Sequence, residues 1–171
     1  RYSLVIGGYK KILSGGGEDN FFYKDTELSI LDLKKSFFSR VVNPGIGNTF
    51  FKSEIIKNNG LKFKNYKYGA DNAFVRNLLA YYFDDDVAIT VSAQFFSYNY
   101  NQNSIMNASF SKRRLDSIIS VGETKELYTE MKSKIPSEIE LFLLNEIRGV
   151  YTDCVLSNSD FDEGLILKYM P

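Results

Sequence analysis

The chain contains no histidine. That absence excludes zinc sites built on His and Cys and any triad in which His is the base. A general base must come from Asp, Glu, Lys or Tyr, and a bound metal would need hard carboxylate ligands. Tryptophan is also absent, and the apolar content rests on 14 Phe and 12 Tyr. Cys154 is the only cysteine, so no intrachain disulfide can form. There is no excess of either charge: 21 basic residues balance 21 acidic ones, which argues against nucleic-acid binding by bulk phosphate neutralisation. No run approaches the roughly 18 consecutive apolar residues of a membrane span.

What is present is a globular composition. Hydrophobic residues make up 44% and aromatics 15% of 171 residues, enough for one domain with a sizeable core. Arg1 to Gly7 carries no initiator Met and runs straight into a strand-like segment, the expectation for a chain cut from a longer protein. The β-branched run Tyr2–Ile6 predicts a buried strand, ended by Gly7-Gly8. Ser14–Asn20 reads as a glycine-rich turn, because Glu and Asp follow its glycines where a phosphate loop needs Lys and Ser or Thr. Phe21–Tyr23 reads as a short strand. Helices are predicted over Glu27–Phe38, with Asp25-Thr26 as the start signal, and over Thr49–Asn58, ended by Asn59-Gly60. Asn43–Asn48 is a break.

Asp71–Tyr82 has the clearest amphipathic pattern in the middle of the chain. Strands are expected over Val87–Val91 and Gln94–Tyr100, with Asp84-Asp85-Asp86 as a solvated turn before them. From Ser111 onward the pattern is mostly helical, with candidates Arg113–Val121, Thr124–Lys134 and Ser137–Leu156. Lys112-Arg113-Arg114 reads as a solvated helix start.

Five segments in order carry a family resemblance. Asn48-Thr49-Phe50-Phe51-Lys52-Ser53-Glu54-Ile55-Ile56 is followed by Gly60-Leu61-Lys62-Phe63 and by Tyr68-Gly69-Ala70-Asp71-Asn72-Ala73-Phe74. Asp85–Thr90 and the stretch Phe96–Met106, which includes Tyr98-Asn99-Tyr100 and Ser104-Ile105-Met106, complete the series. Together they resemble the second half of a family 2 glycosyltransferase domain of GT-A type. Two positions depart from the family pattern: Ala70 stands where the family has Glu, and Asn99 where it has Arg. Either departure implies a shifted acceptor site or reduced activity.

The resemblance implies an α/β fold, the C-terminal portion of a GT-A nucleotide-diphospho-sugar transferase α/β/α fold. Residues 1–107 would form its acceptor-side half and residues 108–171 a helical C-terminal extension. It implies an inverting transfer of sugar from a nucleotide-sugar to a glycan or lipid-linked acceptor, as in bacterial surface polysaccharide synthesis. Asp71 would be the catalytic base, with Gly45, Gly47, Asn48, Lys52, Gly69 and Ala70 around the acceptor. From the residues alone, Asp71 reads first as a helix N-cap, and Asn43–Lys52 as an ordinary loop and helix start.

The divalent metal, Mn or Mg, and the donor site would belong to a preceding half, with none expected within these residues, so the chain alone would not turn over donor. The expected partners are nucleotide-sugar donor and glycan acceptor, with no nucleic acid and no membrane span. A homo-oligomer could form through the C-terminal helices or an open sheet edge. The expected location is the cytoplasm, including peripheral association with the inner face of the membrane. The alternative function is a non-catalytic domain that binds a glycan or a partner, or serves assembly.

Overall fold

A computed structural model describes residues 1–13, 15–99, 114–131, 136–157 and 163–169. The first strand, β1 (Leu4–Ile12), does not stop at Gly7-Gly8. Glycine inside a strand marks the close approach of another side chain. A Cβ on Gly7 would collide with the Phe95 ring, and one on Gly8 would lie 2.5 Å from Phe22 Cδ1.

β1 is the axis of a mixed five-stranded sheet. On one edge it pairs antiparallel with β2 (Glu18–Phe21) and with β4 (Thr49–Phe51). On the other it runs parallel to β5 (Val87–Asn99), which pairs antiparallel with β3 (Thr26–Ser29). β5 is one strand where two were expected, and its Asn99 is its last described residue. Its register against β1 shifts twice, with Ile6 opposite Thr90, Gly8 opposite Gln94 and Tyr9 opposite Phe96. Extra residues in one partner bend a strand and increase its twist, so the sheet curls there.

Two predicted helices begin later than their sequences suggest. Thr26–Ser29 is strand β3, and helix α1 covers Ile30–Phe38. Ser29 is its cap, with Oγ accepting from Asp32 N at 3.0 Å. Asp25 instead accepts a hydrogen bond from Ser92 N at 2.6 Å. Likewise Thr49–Phe51 pairs with β1, and the helix α2 is confined to Ser53–Asn58. A Thr-Phe-Phe triplet favours a pleated surface, and β1 offers it one. Gly60 ends this segment with φ 59°, as its glycine signal predicts.

Helix α3 spans Ala70–Ala80. Helix α4 (Leu115–Glu130) is continuous through Gly122, against which the Tyr169 ring packs. Helix α5 covers Glu138–Leu156, and a short α6 covers Glu163–Tyr169. The expected segment Ser104–Met106 and residues 111–113 lie outside the described residues.

α1 packs on β3 and β5, α3 on α4, and α5 on α1 and α4. One core cluster joins Leu4, Ile6, Leu33, Leu78, Ile118 and Leu143, so residues on both sides of position 107 contribute to it. Each such side chain stabilises by about 1.5–3 kcal/mol on full burial. Phe38 meets both Tyr128 and Phe142 edge-on, at ring distances of 6.2 and 5.7 Å. The chain is therefore mixed α/β, with a curled sheet and packed helices. Among the described residues no helix is long and apolar enough to cross a membrane.

Candidate functional site

The loop from Asn43 to Lys52 turns inward. Asn48 is 4% exposed. Its Oδ1 accepts from Gly45 N at 2.6 Å and from Thr49 Oγ1 at 3.4 Å. Its Nδ2 donates to Gly7 O at 3.0 Å and to Asn43 O at 3.2 Å. A side-chain amide offers two donors and two lone pairs, and all four are engaged. Asn48 is thus a peg that ties the loop to β1.

The glycines of this loop also serve the chain's own packing. A Cβ on Gly47 would sit 2.8 Å from Phe96 Cδ2, and one on Gly45 3.0 Å from Asn48 Oδ1. Lys52 precedes α2 with its side chain exposed, and its backbone N donates to Tyr82 Oη at 3.3 Å. Its ammonium makes no hydrogen bond or ion pair with a described residue.

The second group, Gly69-Ala70-Asp71, lies elsewhere. Gly69 caps α3 in the left-handed region, φ 71°, which favours glycine, and no side chain caps the helix. Asp71 therefore stands in the first turn rather than at the cap. Its side chain is exposed and makes no hydrogen bond or ion pair with a described residue. The segment before it is docked on α3 and α4. Phe63 stacks on Phe74 at 4.4 Å, Lys67 N donates to Asp116 Oδ2 at 2.5 Å, and Glu123 accepts from both Lys64 and Tyr66.

Burial, then the bond to Glu123, pushes the Tyr66 phenol well above its ordinary range. Burial also works against the Glu123 carboxylate, but the hydrogen bonds from Lys64 and Tyr66 prevail and hold it below the usual range.

The two groups do not converge through any described contact. Lys52 is held at Tyr82, beyond the C-terminal end of α3, whereas Asp71 is at the N-terminal end. Eleven helical residues rise about 16 Å.

A groove lies between the end of α1, the start of α4 and one face of α5. It consists of two adjoining hollows of about 410 and 280 Å³. Arg40, Arg114, Asn145, Arg148 and Gly149 line it, and Tyr68, next to Gly69, forms part of the wall. Asp71 does not line it. Arg40 Nη2 bonds Glu146 Oε1 at 2.6 Å, and Arg114 pairs with Asp153 while lying 5.5 Å over the Tyr68 ring. Arg148 is exposed and makes no ion pair with a described residue. Three guanidiniums against two carboxylates leave the groove cationic.

Two of its residues contradict their local backbone. α1 ends in a Schellman motif, with Val41 N bonded to Ser36 O at 2.8 Å and Arg40 N to Phe37 O at 3.0 Å. The left-handed position in such a motif suits glycine, but it holds Arg40 at φ 59°, at a cost of about 1 kcal/mol. Gly149, inside α5, is the reverse case. A Cβ there would meet nothing within 4 Å, so packing does not require glycine, which costs about 1 kcal/mol relative to Ala in a helix.

Behind the groove Arg76 is 4% exposed, bonds Ser120 Oγ at 2.7 Å, and leaves Nε without a partner among the described residues. Burial lowers it to about 10.

Sequence reading missed this groove. Arg114 looked like part of a solvated basic run, and a left-handed Arg40 has no sequence signature. Gly149 in a helical stretch was the available signal.

For a divalent metal the described residues offer no set of three or more clustered carboxylate, His or Cys ligands. Asp84 is paired with Lys34 Nζ at 2.8 Å, and Asp86 accepts from Ser3 Oγ at 3.0 Å. Both carboxylates are thus engaged by the chain's own residues. Models of known protein families, curated proteins and solved structures give no match to this chain.

Proposed function

We propose that the chain is the acceptor-side part of an inverting glycosyltransferase, with Asp71 taking the proton from an acceptor hydroxyl as that oxygen attacks the anomeric carbon. The observation that carries this reading is the place of Asp71 in the Tyr68–Phe74 motif segment, at the first turn of α3, with a carboxylate that, like those of Glu54 and Asp85, lies outside every described hydrogen bond and ion pair. Gly69 performs the backbone role at the helix start, so the capping role that competes for this residue is not taken by its side chain.

A carboxylate base works best when partly desolvated. The described residues do not cover Asp71, so an acceptor bound over the first turn of α3 would supply that cover. The positive end of α3 favours the carboxylate before transfer. Asn48, Gly45 and Gly47 act here as scaffold for β1 and Phe96, and Lys52 keeps an ammonium available for a ligand. Nucleotide-sugar and any metal are placed outside the described residues. A position in the cytoplasm or on the inner face of a membrane belongs to the same proposal.

The test is sugar transfer by the full-length protein that carries this chain, assayed with a panel of nucleotide-sugars and glycan acceptors. Asp71→Asn should lower turnover by about 10²–10⁴-fold, the usual contribution of a general base. Turnover within a factor of two or so of wild type would end the assignment.

An assembly role is the second reading, favoured by the outer face of α5. Leu141, Leu144, Tyr151 and Val155 are exposed there at alternating three- and four-residue helical steps, with Arg148 in the same stripe. Light scattering over a range of concentrations tests it, and a monomer throughout would remove it.

A further inference from the structure

We infer that the groove between α1, α4 and α5 is a binding site for a phosphate-bearing ligand, a phosphomonoester or diphosphate. The inference stands independently of the glycosyltransferase reading. It begins from Arg40 and Gly149, which line both hollows of the same groove. Each is the wrong residue for its own backbone: an arginine where the left-handed turn suits glycine, and a glycine where the helix suits alanine. Local conflicts of this kind concentrate where function is selected over stability. Here the two conflicts act in one direction. One adds a guanidinium to the groove, and the other keeps its floor open.

The charge pattern identifies the ligand class. Glu146 and Asp153 already provide single carboxylates to Arg40 and Arg114. A monocarboxylate would only replace like with like. A phosphate carries more charge and more acceptor oxygens, matches the planar guanidinium fork, and can engage two or three arginines together. Arg148, on the same face of α5 as Asn145 and Thr152, is the guanidinium that a described carboxylate does not already hold. α4 opens on the groove with Arg114 at its N-cap position and no side-chain cap among the described residues, so its first backbone N–H groups add to the positive end.

The test is titration of the full chain with inorganic pyrophosphate at constant ionic strength, followed by amide and arginine side-chain NMR shifts. Saturable shifts in the millimolar range or tighter are expected over residues 145–153 and at Arg40 and Arg114. Arg148→Gln should weaken binding at least tenfold, and Gly149→Leu should abolish it by filling the floor. Both changes are on an exposed helix face, and each variant should keep a thermal midpoint no lower than wild type. A parallel arm uses phosphatidylcholine vesicles with and without phosphatidic acid. Pyrophosphate binding alone assigns a soluble ligand, whereas vesicle binding lost in Gly149→Leu assigns a lipid headgroup. Binding to neither, or an Arg148→Gln protein that titrates like wild type, overturns the inference.

Discussion

The two loops that sequence reading assigns to one acceptor site are built on opposite plans. In Asn43–Lys52 the key polar side chain, Asn48, is buried, and in Tyr68–Asp71 the key polar side chain, Asp71, is exposed. In the first, every hydrogen-bonding group of the Asn48 amide meets the chain itself, and Gly47 leaves room for an aromatic ring of β5. In the second, a left-handed glycine makes the turn, and the acidic side chain two residues later makes no hydrogen bond or ion pair with a described residue. The difference teaches that a polar residue in a glycine-rich loop can as easily hold the loop in shape as hold a ligand. The distinction rests on whether its lone pairs and protons are already matched.

The sharpest way to break this contrast is Asn48→Ala. It strips partners from Gly45 N, Gly7 O and Asn43 O in a buried setting, where an unmatched backbone group costs about 1–3 kcal/mol. A loss of about 3 kcal/mol is expected, read as a lower urea midpoint with an unchanged slope. A loss below about 1 kcal/mol would mean that the loop does not depend on its peg.

Next come two glycines, one in the Asn48 loop and one in α5, which should give opposite signs. Gly47→Ala forces the Phe96 ring aside, and because that ring is itself 40% exposed, the cost should be about 1 kcal/mol. Gly149→Ala meets nothing and should stabilise by about 0.5–1 kcal/mol. Thermal unfolding of the pair checks both signs. Matching signs would remove the argument that Gly149 is kept for something other than the fold.

Much of this was legible locally, and the failures share a cause. The start of β1, the end of α2 at Gly60 and nearly all of α5 follow from residues within a few positions of one another. Gly7-Gly8 reads as a stop because the rings that explain it, Phe95 and Phe22, come from distant segments. Thr26–Ser29 and Thr49–Phe51 read as helix starts because their strand partners, β5 and β1, are not their sequence neighbours. Asn48 is visible as a donor, but not that Gly7 lies waiting for it. Arg40 is the extreme case, since its conflict exists only once its backbone angle is known.

A smaller effect concerns how the Tyr66 segment is anchored. Its phenol is held above its ordinary value, so its contribution is complete below pH 10 and is lost as pH rises beyond that. Tyr128, raised mainly by burial, acts in the same direction. Arg76, lowered by its burial, acts oppositely, because the unfolded chain binds its proton more tightly. Tyr66→Phe should therefore flatten the alkaline limb of a stability profile without removing it. An unchanged limb would show that the bond to Glu123 does not hold the segment ahead of Asp71.

The smallest expected effect is the one on which the contrast depends most. Asp71→Asn preserves shape and breaks no described hydrogen bond or ion pair, so its structural cost should be limited to a favourable charge at the positive end of α3 and a weak attraction to the buried Arg76. That is worth about 0.3–0.5 kcal/mol and should fade in high salt. Denaturant midpoints for wild type and variant at low and high ionic strength measure it. A loss above about 1 kcal/mol that persists in salt would show that Asp71 supports the fold as Asn48 does. The loop that carries Asp71 would then be a second scaffold. A near-silent change in stability, set beside a large loss of transfer, is the combination that a base without structural duties requires.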